Sequence, residues 1–338
     1  MSNLLSTLLE SRDWLLADGA TGTNLFAMGL EAGEAPELWN ETAPEKVRAL
    51  HDGFLGAGVD LILTNLFGGT RHRLKLHDAQ DRVFELNKRA AEIACEAVEA
   101  SGRPVVVAGS MGPTGELLQP VGALSFEDAV ASFEEQAKGL LAGGVDVLWA
   151  ETISSEEEIR AAAQAAANLD APFCGTLSFD TAGRTMMGVT SVGYAGLAPS
   201  LAAPPLAFGA NCGVGASDLL RTVLGITEAA PGSVVIAKGN AGIPKFVDGH
   251  IHYDGTPELM ADYAVLARRC GARIIGGCCG TTSAHLEKMR AALEGMDVVG
   301  PRPGLEEIAE RLGGFSSADD GLGEGGAPKR ERRGRRRG

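Results

Sequence analysis

Cys270-Gly271-Ala272-Arg273-Ile274-Ile275-Gly276-Gly277-Cys278-Cys279-Gly280 is the stretch whose reading decides the fold. A glycine at its start can adopt the left-handed conformation that ends a helix just before a strand. A short apolar run follows and stops on small residues and an adjacent cysteine pair. The same junction recurs as Ala57-Gly58-Val59-Asp60 and Gly143-Gly144-Val145-Asp146. Working outward from these junctions, eight short apolar runs appear: Trp14–Ala17, Asp60–Thr64, Pro104–Ala108, Asp146–Ala150, Phe173–Leu177, Leu206–Gly209, Val234–Ala237 and Arg273–Gly276. Such near-continuous hydrophobicity suits parallel strands covered on both faces.

The segments between the runs carry helix signals. Pro44 stands at a first-turn position before Val47, Leu50, Phe54 and Leu55, spaced to form one apolar stripe. Leu86, Ala90, Ile93, Ala94, Ala97 and Val98 repeat the stripe. Ser125 with Asp128, and Ser154 with Glu157, read as capping boxes. Eight strands alternating with helices make an α/β (β/α)8 TIM barrel the economical fold. The rival, a doubly wound open sheet, lacks its phosphate-binding signature, because Asp18-Gly19-Ala20-Thr21-Gly22-Thr23 does not fit G-x-G-x-x-G.

The chain has 338 residues, 45% hydrophobic and 22% charged, the balance of a globular enzyme. Seven cations against Glu331 give the last ten residues a charge of +6, which leaves −20 on residues 1–328 of a chain whose formal charge is −14. So acidic a body argues against a nucleic-acid surface, since phosphates would be repelled. Six cysteines are too few for a disulfide framework. The N-terminus lacks the basic start of a signal peptide, and the apolar stretch near Leu197–Gly213 is broken by Pro199, Pro204 and Pro205, so neither secretion nor a membrane span is expected. The expectation is a cytoplasmic protein with a barrel over 1–312 and a disordered Gly-rich and Arg-rich tail over 313–338. Oligomeric state is left open, a homo-oligomer included.

In such a barrel the active site lies at the C-terminal ends of the strands. The residues there include Asp18, Thr64-Asn65, Ser110, Glu151-Thr152, Asn211-Cys212, Lys238 and Cys278-Cys279. Cys212 follows the sixth run and the adjacent pair follows the eighth, so all three can face one interior region. Three thiolates with one open tetrahedral position form a catalytic zinc arrangement, and soft sulfur selects zinc over magnesium or calcium. The bland alternative is three packed small hydrophobes. No histidine is obviously placed as a fourth ligand; His285 lies two helical turns or less into the segment after Cys279. Cys95, Cys174 and Cys270 read as core.

These residues carry a resemblance. Asp18-Gly19-Ala20-Thr21-Gly22-Thr23, Thr64-Asn65-Leu66-Phe67, Gly109-Ser110-Met111-Gly112-Pro113, Glu151-Thr152, Gly183-Arg184-Thr185, Asn211-Cys212, Asn240-Ala241-Gly242-Ile243-Pro244 and Gly276-Gly277-Cys278-Cys279-Gly280-Thr281 resemble, in order, the homocysteine-binding domain of the homocysteine S-methyltransferases. That family includes betaine–homocysteine methyltransferase and the N-terminal module of cobalamin-dependent methionine synthase. The resemblance implies a (β/α)8 barrel with Zn2+ on Cys212, Cys278 and Cys279. It implies homocysteine as substrate and methionine as product, with the zinc-activated thiolate attacking a methyl group. The donor it implies is betaine, S-methylmethionine or methylcobalamin on a separate protein.

For the substrate's amino acid end the resemblance implies Asp18, Gly19 and Ala20 as a substrate loop, Glu151 as partner of the ammonium, and Asn211 as an orienting residue. Each also has a structural reading: Asp18 as a turn residue, Glu151 as a helix N-terminal carboxylate, Asn211 as a strand-end cap. Trp39 is the one aromatic residue expected at a site for a trimethylammonium donor, against a role as loop anchor. A zinc- or thiol-binding barrel without methyl transfer stands as the alternative function.

Overall fold

The computed structural model describes residues 3–242, 245–247, 250–295 and 300–321. Eight parallel strands form its frame: β1 (Leu15–Leu16), β2 (Leu61–Leu63), β3 (Val106–Met111), β4 (Val147–Ile153), β5 (Phe173–Leu177), β6 (Ala207–Cys212), β7 (Val235–Gly239) and β8 (Ala272–Gly277). Neighbours in sequence pair in space, and β8 pairs with β1. A parallel bridge between Ala17 and Leu61 closes the ring, beside an Asp60 N–H donated to the Leu16 carbonyl at 2.7 Å. The result is the (β/α)8 barrel that the run pattern implies.

All eight expected runs form strands. β3, β4 and β6 continue three residues past the expected ends, to Met111, Ile153 and Cys212. Main-chain pairing carries on through Ser110 and Asn211, where an apolar run has already stopped; in β4 it breaks after Ala150 and resumes at Ile153.

Strand periodicity divides the core. Leu15, Ala17, Leu61, Leu63, Val106 and Ala108 fill the barrel interior, while Leu16, Ile62 and Val107 face the surrounding helices. Those helices are α1 (Pro44–Gly56), α2 (Val83–Ser101), α3 (Phe126–Ala142), α4 (Glu156–Asn168), α5 (Ser191–Leu197), α6 (Ala216–Ala229), α7 (Pro257–Arg269) and α8 (Ser283–Glu294). The helix Leu4–Ser11 sends Leu5, Leu8 and Leu9 into the interior cluster and plugs the end where the strands begin. Gly58, Gly144 and Gly271 have φ of 88°, 99° and 102°, the left-handed turns read from the repeated junctions.

Ser125 caps α3 as expected, accepting the Asp128 N–H. The cap of α4 is Ser155, accepting from Glu158 N, and not Ser154 with Glu157. Both frames read Ser-x-x-Glu, and the residue that leaves the strand extended decides between them. No described helix is long and apolar enough to cross a membrane.

The tail expectation needs correction over 313–321; residues 322–338 lie outside the described part. A helix, Leu305–Leu312, precedes this stretch, which then runs along α6. Ser217 Oγ donates to the Gly313 carbonyl at 2.6 Å, and Arg221 donates to the Ser317 carbonyl at 2.9 Å. The Arg221 guanidinium also lies 4.7 Å from the centre of the Phe315 ring, and Ser316 N–H donates to Asp218. A buried Asp218–Arg221 pair thus supplies the partners that an apolar count misses. Truncation after Leu312 is expected to lower unfolding free energy by about 1–3 kcal/mol, because the buried guanidinium loses its carbonyl partner. An unchanged urea midpoint would contradict this.

His51 on α1 is fully buried, and neither ring nitrogen has a hydrogen-bond partner among the described residues. Burial lowers its pKa from the usual 6.5 to about 4, with Asp52 and Arg48 as the charged neighbours. Between those values the unfolded chain binds the extra proton, so stability falls as pH drops, by up to about 3 kcal/mol. His51→Leu is expected to flatten that part of a stability–pH curve measured by denaturant titration.

Candidate metal and substrate site

β6 ends on Cys212, and β8 runs into Cys278 and Cys279. Only β7 lies between those strands, and barrel curvature turns both ends toward one centre. The three Sγ atoms lie within 4.8 Å of one another, with Cys212 and Cys279 at 4.0 Å. A tetrahedral ion with bonds of about 2.3 Å needs sulfurs about 3.8 Å apart, so the donor set fits such an ion. Hydrogen bonding among the thiols pushes Cys212 up to about 12, through Cys278, and Cys279 up to about 11, through Cys212. Without a cation the thiols stay protonated at neutral pH, and binding one would release protons.

The cysteine turns are over-determined. Thr152 and Cys212 both take φ of 61°, a left-handed conformation that costs a non-glycine residue about 1–3 kcal/mol. Asn211 holds the first: its Oδ1 accepts Thr152 N–H at 2.8 Å and its Nδ2 donates to Thr152 Oγ1 at 2.7 Å. The same Nδ2 lies 3.8 Å from Cys278 Sγ. Asn240 donates to the Gly213 carbonyl at 2.8 Å and approaches Cys212 Sγ at 3.7 Å. Ala241 N–H donates to the Cys279 carbonyl, and Thr281 Oγ1 to the Cys278 carbonyl. Gly280 must be glycine: its φ is 79°, and a Cβ there would meet the Tyr253 side chain at 2.5 Å.

Above the sulfurs opens a cavity of about 440 Å³. Phe26, Phe67 and Tyr253 form part of its wall, and Glu151 and Lys238 lie on its floor. Glu151 Oε1 accepts from Ser110 Oγ at 2.5 Å; burial raises this carboxyl, and Lys238 and Ser110 offset part of the rise. Lys238 Nζ lies 2.5 Å from Asp18 Oδ1, while Asp18 Oδ2 accepts Leu63 N–H at 2.7 Å. Burial alone would lower Lys238, but Asp18 and Glu151 hold it above its ordinary value.

Cys212, Cys278, Cys279 and Glu151 therefore share one cavity, with Asn211 directly behind the sulfurs. Gly19 and Ala20 line it too, although the Ala20 N–H is engaged by the Thr281 carbonyl at 3.2 Å. Asp18 lies beneath the floor, with both oxygens committed to Lys238 and Leu63. Trp39 is not at the cavity. It is buried in the core with Lys46 Nζ 4.3 Å over its ring, which makes it a loop anchor. His285 caps α8 through Nδ1 and meets the Gly255 carbonyl through Nε2, so both ring nitrogens are occupied away from the sulfurs.

Three residues carried no assigned role in the sequence. Lys238 had a usable signal, a lone cation ending the apolar run of β7. Tyr253 and Glu37 had none. Glu37 Oε1 accepts Gly68 N–H at 2.6 Å and, with Asn40 and Asn65, stitches the loops after β1 and β2 together.

Residues 15–293 match the family model described as homocysteine S-methyltransferase. Methionine synthase of Mycobacterium tuberculosis (strain ATCC 25618 / H37Rv) is 29% identical over 311 residues, covering 86% of this chain but 25% of that protein. The chain thus spans about a quarter of that relative's length. The crystal structure of the homocysteine methyltransferase MmuM from Escherichia coli in metallated form is 26% identical with a TM-score of 0.69, covering 86% of this chain and 99% of that one. Its oxidised form, 27% identical over the same shares, has the same TM-score of 0.69. A methyltransferase from Methanosarcina mazei, at 12% identity and a TM-score of 0.54 over 87% of this chain and 99% of that one, shares the fold. Because the match runs from the first barrel strand into the last barrel helix and takes in all three converging cysteines, the chain belongs to the homocysteine S-methyltransferase family.

Proposed function

We propose that this chain moves a methyl group from a donor onto the sulfur of homocysteine, forming methionine, with Zn2+ on Cys212, Cys278 and Cys279. The observation that carries the reading is the convergence of three sulfurs within 4.8 Å at the floor of a cavity that also exposes a carboxylate. A zinc ion held there would keep the substrate sulfur deprotonated at neutral pH, where a free alkyl thiol, with a pKa near 8.5, is mostly protonated. Soft thiolates favour zinc over hard divalent ions such as magnesium or calcium.

The protein's own groups orient the rest. Ser110 occupies one oxygen of Glu151, which leaves the other to accept the substrate ammonium. Asn211 and Asn240 hold the turns that carry the three cysteines, which would hold the metal at the cavity floor. Phe26, Leu66 and Phe67 thin the water around the sulfur, and a less solvated sulfur is the stronger nucleophile. The methyl carbon approaches from the mouth in line with the sulfur; the sulfur's electron pair forms the new bond as the old bond's pair leaves with the donor.

A small onium donor, betaine or S-methylmethionine, suits the cavity. Aromatic faces at Phe26, Phe67 and Tyr253 and the Glu37 carboxylate offer partners for a positive centre. One observation favours a second reading, methylcobalamin on a separate protein: apolar side chains stand exposed on the loops of this face, Phe26 at 50%, Val121 at 66% and Met186 at 70%.

A donor panel decides. Zinc-loaded protein with homocysteine is expected to form methionine with betaine or S-methylmethionine, and the second reading requires product with a methylcobalamin protein instead. Retained zinc with no product from any donor would leave a zinc- or thiol-binding barrel. Cys278→Ser should lose both bound zinc and turnover, and full zinc retention would refute the ligand assignment.

A further inference from the structure

Lys238 is a cation buried to 2% exposure beneath a site otherwise built from anions and sulfur. On the sheet it lies level with Asn211 of β6 and Gly276 of β8, one residue below Cys212 and Gly277. Its Nζ is fixed by Asp18 at 2.5 Å, and Asp18 is fixed in turn by Leu63 N–H, so the ammonium cannot swing out of the floor. The structural reading is that Lys238 serves only as counter-ion to Asp18 and ties β7 to β1 and β2.

Charge counting points further. With both carboxyls ionised, Asp18, Glu151 and Lys238 together carry −1, and a bound amino acid end, whose ammonium and carboxylate cancel, leaves that charge in place. Three cysteine thiolates around a divalent ion also carry −1, and a substrate thiolate makes that −2. Negative charge gathering in a site screened from water is costly unless a fixed cation lies close by. Among the described residues lining the cavity, Lys238 is the lysine on the floor; Arg73 stands out on the loop after β2.

We propose that Lys238 is a positioning residue for homocysteine, a fixed cation that offsets the thiolate charge arriving at the cysteine cluster and leaves Glu151 as the carboxylate open to the substrate ammonium. The inference rests on the homocysteine reading above. Its proposed effect is read in binding of the thiol; removing the lysine also leaves the buried Asp18 unpaired, so stability is followed beside it.

The test is a double-mutant cycle on zinc-loaded full-length protein, with Lys238→Met, Asp18→Asn and both together. Calorimetry with homocysteine, and with methionine, which forms no thiolate, supplies the readout, alongside zinc content and thermal midpoint. Lys238→Met is expected to weaken homocysteine binding about tenfold or more, on the scale of one charge in a partly screened site, and to weaken methionine binding much less.

If Lys238 only neutralises Asp18, the double variant, which replaces an ion pair by a neutral pair, regains wild-type homocysteine affinity. That result, or equal losses for homocysteine and methionine, overturns the proposal. Should Lys238→Met fail to fold, the double variant carries the test, since weak homocysteine binding by a folded, zinc-loaded double variant supports the proposal. A wild-type protein that binds no homocysteine overturns the functional reading together with this one, whereas a Lys238→Met protein that binds it normally overturns this one alone.

Discussion

The Asp60 N–H reaches the Leu16 carbonyl at 2.7 Å, and with the Ala17–Leu61 bridge the parallel sheet closes on itself. Everything at the mouth depends on that closure. An open sheet would spread the ends of β1, β4, β6, β7 and β8 along a line, whereas the ring gathers them around one cavity. Leu5, Leu8 and Leu9 seal the opposite end, so the mouth is the face left free for chemistry.

Within the mouth, strain and charge are balanced by specific polar partners. Thr152 and Cys212 hold left-handed backbones that neither residue type prefers, and Asn211 and Asn240 bind the same turns. These two asparagines link backbone conformation to sulfur position, so a ligand cluster can stand ready before any cation arrives. The buried Asp18–Lys238 pair plays a comparable role below, fixing a charge where water cannot screen it. Breaking one partner of such a pair is costlier than never having had it, which is why it must be treated as a unit.

Much of the architecture was legible in the chain. Eight apolar runs, three repeated glycine junctions and the Ser125 cap are local signals, set by burial, backbone freedom and a hydroxyl three residues from an amide. The cysteines were legible as a cluster because strand order fixes which ends meet. Other features were not, for a physical reason in each case. The strand extensions through Ser110 and Asn211 follow hydrogen bonding to neighbouring strands. Residues 313–321 read as unstructured, yet Arg221 and Asp218 across the chain supply their partners. Trp39 looked available to a ligand until its burial with Lys46 removed it.

The sequence by itself determined the alternation of strands and helices, the barrel that alternation requires, and which cysteines reach the active face, because periodicity and order along the chain carry that information. The tertiary structure alone decided how the polar residues of that face divide their work. Asp18 turned away to hold Lys238, Glu151 kept an oxygen toward the cavity, and Asn211 bridged Thr152 and Cys278. Those assignments are distances between residues as many as 220 positions apart, and only closing the barrel brings them within reach.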